Sequence, residues 1–205
     1  MTDPGLAPYR SFRSAVDAVR SFHPLDDDDR ATRERVLGFF ETGPTIVARH
    51  PHPVHATASA FVFDPERRRV LLCFHKKGRF WVQPGGHLEP DDDTVVDGAL
   101  REAREETGVE PPLGATPVIV DIDAHRLSSR FGHCTEHLDI GVAFTADPDA
   151  GLRANDEVEG VRWWPVDALP SDAATGLEGR IGKILQRLAS PSQSSPSQAS
   201  PSRAD

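Results

Sequence analysis

The stretch Gly85–Val109, GGHLEPDDDTVVDGALREAREETGV, decides how the chain is read. From about Thr94 it predicts a helix, and at about 100° per residue Glu102, Glu105 and Glu106 fall within one arc of it. Gly98 lies a turn earlier on that arc and is expected to leave open space above the carboxylates. The core stripe predicted beside it is Val96, Ala99, Leu100, Ala103 and Thr107. Arg101 follows Asp97 by four residues and precedes Glu105 by four, so it is expected to bridge both. Three like charges on one helical face repel unless a cation sits among them. Surface solvation needs no such clustering. A hard divalent cation does, because Mg²⁺ takes carboxylate oxygens and keeps waters for a phosphorylated substrate.

These residues resemble the Nudix box, the signature of the Nudix hydrolase family. Its second half, Arg-Glu-aliphatic-x-Glu-Glu-x-Gly-aliphatic, is matched by Arg101, Glu102, Ala103, Glu105, Glu106, Gly108 and Val109. The first half departs from it. Counted from Gly86 the first acid falls on Asp92, and counted back from Arg101 it falls on Asp93, so the loop carries one extra residue and Asp replaces Glu. The resemblance implies a metal-dependent hydrolase that cleaves a diphosphate linkage in a nucleoside diphosphate derivative: a nucleoside triphosphate, nucleotide sugar, ADP-ribose or dinucleotide. It implies Mg²⁺ (or Mn²⁺), with Glu105 and Glu106 as ligands and Glu102 as a ligand or as the base orienting water. The carbonyl of Gly86 is the natural extra ligand, and Arg101 is expected to hold Glu102 or Glu105 by a charge-assisted hydrogen bond.

The 205 residues, 38% of them hydrophobic, fit one sizeable core. A net charge of −9 argues against sequence-independent nucleic-acid binding, which rests on Lys and Arg neutralising phosphates. Cys73 and Cys134 form no recognisable disulfide framework, which suits a reducing cytoplasm. No apolar signal segment opens the chain, and no stretch approaches membrane-spanning length, so no membrane partner is expected. The expected partner is a small phosphorylated molecule.

Residues 1–50 read as an N-terminal helical segment. Phe12, Ala15, Val16, Val19 and Phe22 recur at helical spacing before His23-Pro24. A second helix is expected to begin within Asp26–Asp29, bury Val36, Leu37 and Phe40, and stop at Gly43-Pro44. The acidic run reads as a capped, solvated helix start. These helices have two uses open to them, covering an edge of the main domain or building a homodimer surface.

Residues 55–63 and 68–74 read as a hairpin turning at Asp64-Pro65-Glu66. The basic loop that follows supplies Lys76, Lys77 and Arg79 as candidates for substrate phosphates, with the polar-loop reading equally open. Trp81, Trp163 and Trp164 are candidates for stacking a base, against the plainer reading as core. Residues 116–127 and 136–146 read as further strands, the alternation in the first being imperfect, and residues 158–169 as a strand leading into a short helical turn. Leu177, Ile181, Ile184, Leu185 and Leu188 mark a last helix, and residues 190–205 read as a disordered Ser/Pro-rich tail without core-forming residues. With the resemblance, the class is α/β: a Nudix-type α/β/α sandwich with a mixed sheet over residues 51–189, preceded by the helical segment.

Glu157 and Glu159 are weighed as an acid recruited from outside the box, each against the reading as a surface charge. His133, Cys134 and His137 suggest zinc, but structural sites bring four ligands and no convincing partner pair accompanies them. His52 and His55 read as polar residues flanking the first strand. Two rival classes remain open: a non-catalytic Nudix-like sensor of a nucleotide ligand, and a Nudix-fold isomerase acting on an isoprenoid diphosphate. The isomerase needs a reactive cysteine, whereas Cys73 lies in an apolar strand and reads as core.

Overall fold

The computed structural model describes residues 9–48 and 52–190; the Ser/Pro-rich tail from 191 onward lies outside them. The chain opens with two helices, α1 (Ser11–Ser21) and α2 (Asp27–Phe40), and a 3-10 turn at Pro44–Val47. Asp26 caps α2 by accepting the Asp29 N–H at 2.9 Å. Then follow β1 (Val54–Phe63), β2 (Arg69–His75), β3 (Phe80–Val82), β4 (Gly85–His87) and α3 (Val95–Thr107). After α3 come β5 (Val118–Arg126), β6 (Glu136–Thr145), β7 (Val158–Pro165) and α4 (Leu177–Ala189).

All seven strands belong to one mixed sheet with the order β3-β2-β1-β6-β5, β4 pairing with β1 and β7 with β2. The parallel contact is β1 with β6, in register from Val54 opposite Glu136 to Phe63 opposite Thr145. The imperfect alternation of the β5 sequence has a cause: its register against β6 shifts between Ile119 and Asp121. An extra residue there turns the side chains beyond it to the other face.

Being central, β1 is buried from His55 to Phe63. Alternate residues point to opposite faces. Ala56, Ala58, Ala60 and Val62 meet Ala99 and Ala103 of α3, small side chains against small ones, so the helix lies close to the sheet. On the other face Phe61 and Phe63 pack with Leu177, Ile181 and Ile184 of α4. Half-buried Arg180 of α4 reaches the sheet carboxylates Asp121 at 2.6 Å and Asp139 at 2.8 Å.

The N-terminal helices bury their stripes on the domain itself. Ala15, Val19, Phe22, Val36, Phe40, Ile46 and Val47 belong to the same core as the α3 face of the sheet. The acidic start of α2 is more than a solvated cap. Asp29 is buried and pairs with Lys183 of α4 at 2.7 Å and with Arg187, which is 3% exposed. Arg35 pairs with Glu136 of β6 at 2.5 Å.

Candidate active site

Helix α3 starts at a capping box. The Thr94 side chain accepts the Asp97 N–H at 3.1 Å, and the Asp97 carboxylate accepts the Thr94 N–H at 2.9 Å. Asp97 is thus committed to the cap and is not the partner of Arg101 that its spacing suggests. The buried residues of α3 are Val95, Gly98, Ala99, Ala103, Glu106 and Thr107. Val96 and Leu100 from the predicted stripe are only half-buried and pack against the margin of the α3-side core. Gly98 does not open space above the acids either: a Cβ there would lie 2.6 Å from Leu88 Cδ2 and 3.1 Å from Asp92 Oδ2. It makes room for the loop that carries Asp92.

That loop matters through Arg101. Its Nε and Nη2 donate to the two oxygens of Asp92 at 3.2 and 3.0 Å, and Nη2 also donates to the His87 carbonyl at 2.8 Å. Nη1 donates to Glu102 at 3.0 Å and to Glu105 at 3.2 Å. A planar guanidinium with five donors can fix several acceptors at once, so Arg101 ties the loop, β4 and two carboxylates of the acidic arc into one frame. Burial works against its charge, but Asp92 and Glu102 outweigh that and raise its pKa. Asp92 is buried and also accepts the Glu89 N–H at 2.8 Å, whereas Asp93 is exposed beside Arg10. Of the two counts along the loop, the one from Gly86 finds the acid that works with Arg101.

The three glutamates grade from inside to outside. Glu106 is 2% exposed; the side chain of Glu102 is 13% exposed and that of Glu105 48%. Oε2 of Glu106 accepts the Gly85 N–H at 3.0 Å and the Cys73 S–H at 3.6 Å. Burial pushes Glu106 up to about 8, against the Gly85 N–H, with the charges of Glu102 and Glu157 adding to the rise. Burial pushes Glu102 up to about 7 against the pull of Arg101, with Glu105 and Glu157 again adding. Gly86 of β4 lies directly against Glu102: a Cβ there would meet its Oε1 at 2.6 Å. Only a bare backbone fits beside that carboxylate.

Glu102 and Glu105, but not the more deeply buried Glu106, border a cavity of about 680 Å³. Gly86, Arg101, Glu102 and Glu105 form one side and Asn155 and Glu157 another, with Ser11 and Val47 of the N-terminal segment at its margin. The two acids weighed in the β7 region part here: Glu157 lines the cavity, whereas Glu159 pairs with Arg79 at 2.6 Å. Sequence spacing gave no reason to prefer one over the other.

None of the four candidate substrate contacts lines this cavity. Lys76 donates to the Asp156 carbonyl at 2.5 Å, and Arg79 also lies over the Phe74 ring, 4.9 Å from its centre. Lys77 is exposed, and Trp81 packs edge-on against Phe74 and Trp164. Trp163 packs on the α3-side core and Trp164 on the α4-side core. Cys73 is buried, and that burial together with the charge of Glu106 drives its pKa well above the ordinary thiol value. A thiol in that state is a poor nucleophile and a poor acid.

The family model described as NUDIX domain matches residues 53–188 of the chain. Among curated proteins, the uncharacterized Nudix hydrolase YvcI of Bacillus subtilis is 30% identical over 99 residues, 47% of this chain and 57% of that protein. The chain spans between 11% and 61% of the length of the curated relatives it matches. Among solved structures, the E. coli dihydroneopterin triphosphate pyrophosphohydrolase superposes with a TM-score of 0.56 at 16% identity, covering 66% of this chain and 97% of that one. The NUDIX domain of Shewanella oneidensis NrtR, complexed with ADP ribose, gives 0.52 at 21% identity, covering 65% and 87%. Both show the fold.

Proposed function

Because this chain belongs to the Nudix hydrolase family, we propose that it is a metal-dependent hydrolase cleaving a diphosphate linkage in a nucleoside diphosphate derivative. The observation that carries the reading is the set of carboxylates held by Arg101 beside the bare backbone of Gly86, at the wall of a cavity large enough for such a molecule.

The donor set fits a hard divalent cation. Glu106 and Glu102 are withdrawn from water, lie near Glu105 and Glu157, and have one guanidinium among them to offset their charge. Oxygen donors of this kind suit Mg²⁺ or Mn²⁺. Glu102, Glu105 and Glu106 would hold it, with the carbonyl of Gly86, whose backbone lies against Glu102, as a further ligand. When bound, such a cation supplies charge to polarise a phosphoryl oxygen and to stabilise the leaving phosphate.

The chain's own residues do the rest. Arg101 holds Glu102 and Glu105 at fixed positions, so neither carboxylate has to be ordered when substrate arrives. The Gly85 N–H keeps Glu106 turned inward. Water attacks one phosphorus, the bridging P–O bond breaks, and the proton lost by water is taken up by Glu157, the carboxylate facing the cavity from outside the ligand set. Two phosphate-bearing products result. Lys76, Lys77, Arg79 and Trp81, which lie outside the cavity wall, have no part in this step.

A screen of the purified full chain with Mg²⁺ against nucleoside triphosphates, nucleotide sugars, ADP-ribose and dinucleoside polyphosphates, with products identified by mass, tests this. Hydrolysis of at least one of them, abolished by a chelator, is expected. Tight binding of a nucleotide ligand without turnover would replace the reading with the sensor. The isomerase reading is disfavoured by Cys73, whose thiol is buried and held in its neutral form.

A further inference from the structure

On the α4 side of the sheet, at the start of β1, three imidazoles and one thiol come together. His55 of β1 lies opposite His137 of β6 in the parallel register, and His87 of β4 lies opposite Thr57, two residues further along β1. Alternate residues share a face, so the three rings project to one side of the sheet. Their centres are 4.8 Å apart for His55 and His87, and 5.2 Å for His137 with each of the others. Cys134, two residues before β6, brings its Sγ to 3.6 Å from Nε2 of His87. One nitrogen from each ring and the sulfur all lie within 4.8 Å of one another. His55 is fully buried rather than a polar flank of the strand, and Cys134 is buried too.

We propose that His55, His87, Cys134 and His137 bind one Zn²⁺ as a four-ligand site. Zinc takes imidazole nitrogen at about 2.0–2.1 Å and thiolate sulfur at about 2.3 Å, so neighbouring ligand atoms of a tetrahedral site stand roughly 3.3–3.8 Å apart. The Cys134–His87 pair already has that spacing, and the remaining atoms need to draw together by at most about 1.5 Å, within reach of side-chain rotation. The tautomer of His55 is set for it. Its Nδ1 is 3.0 Å from the His52 carbonyl, which can only accept, so Nδ1 carries a proton and Nε2 is the nitrogen offered to the metal. Metal-bound imidazoles are commonly oriented by such a bond from the other ring nitrogen.

Soft sulfur and imidazole donors select zinc, whereas the carboxylates of the acidic helix select Mg²⁺, so the two sites sort their metals by chemistry. Binding releases one proton, from the Cys134 thiol, to solvent. Four protein ligands leave no open position, which makes the site structural. It pins the segment between β5 and β6 to β1 and to β4, the strand that carries Gly86. His133, next to Cys134, is exposed and stands outside the group.

The full chain, stripped with a chelator and kept reduced, is titrated with Co²⁺ and then with Zn²⁺ in excess Mg²⁺. One equivalent of Co²⁺ should give the intense visible bands of tetrahedral cobalt and a near-ultraviolet thiolate band, both abolished by Zn²⁺ and untouched by Mg²⁺. Cys134→Ser should remove the thiolate band, and His137→Gln should weaken Zn²⁺ binding on the order of a hundredfold or more, since outer-shell losses alone reach that size. His133→Gln should behave as wild type. A faint spectrum of six-coordinate cobalt that Mg²⁺ displaces would overturn the proposal, because it places the ion at the carboxylates. So would an unchanged spectrum in Cys134→Ser, or His133→Gln weakening binding as much as His137→Gln. If Cys134→Ser does not fold, the wild-type cobalt spectrum decides by itself.

Discussion

Replacing Glu106 with Gln separates the two demands made on the acidic helix. In metal-free protein this carboxyl is raised from 4.5 to about 8, chiefly by burial. Between those values the folded chain keeps a proton that the unfolded chain gives up. Wild-type stability contributed by this group is therefore full below 4.5, falls as pH rises, and has been lost by about 8. By pH 7 the stability lost this way is on the order of 3 kcal/mol. Gln has the same shape, its carbonyl can accept the Gly85 N–H, and it has no charge to desolvate. In a chelator, Glu106→Gln should unfold at higher urea than wild type at pH 8 and show a flatter pH profile from 5 to 8. Mg²⁺ at a hundred times its dissociation constant should stabilise the wild type by about 2.7 kcal/mol and the variant by little. Turnover should fall on the order of a hundredfold or more, because the lost ligand acts on transition-state charge. Arg104→Gln, exposed and far round the helix, is the control. Glu89 is unsuitable, since it lines the cavity 3.8 Å from Arg101. A variant that tracks the wild-type pH profile and retains both its Mg²⁺ response and its turnover would refute the assignment.

Gly86→Ala should abolish most turnover while leaving a folded protein, since its Cβ would displace the Glu102 carboxylate; a circular-dichroism melt beside a rate measurement checks both halves. Asp29→Ala strands the buried guanidinium of Arg187 and should cost roughly 3–5 kcal/mol in urea unfolding. An unaffected midpoint would show that α2 does not lock α4. Asp64, in the β1–β2 turn, accepts the N–H groups of Arg68 and Arg69 at 2.7 and 2.9 Å; its burial is outweighed by these bonds and by the Arg69 side chain, and its pKa lies below 3.8. Its stabilisation is therefore present above 3.8 and disappears as pH falls through the lowered value. Asp64→Asn should flatten the acid limb of the stability curve, measured by thermal melts from pH 2 to 5.

The features legible along the chain are those contained within one helical turn or one strand. Thr94 to Gly108 carries its start signal, its acidic arc and its stop within a single segment. Helices α1 and α2 likewise follow from a 3.6-residue stripe, and the turn at Asp64-Pro65-Glu66 from residues that favour turns. Side chains three or four apart meet whenever the helix forms, so spacing alone is enough. Which loop acid Arg101 takes depends instead on how distant segments pack. Asp97 has the right spacing, yet the capping box claims it, and a loop made possible by Gly98 delivers Asp92 instead. The same packing decides that Glu157, and not Glu159, faces the cavity, and that Asp29 of a helix start becomes the anchor of α4. The assembly of His55, His87, Cys134 and His137 shows the reason most plainly. They come from three strands and a loop, and they meet because the parallel register of β1 on β6 and the antiparallel register of β4 on β1 bring them level. That register is set by burial along the whole length of the strands, a sum over many side chains that no local stretch of sequence contains.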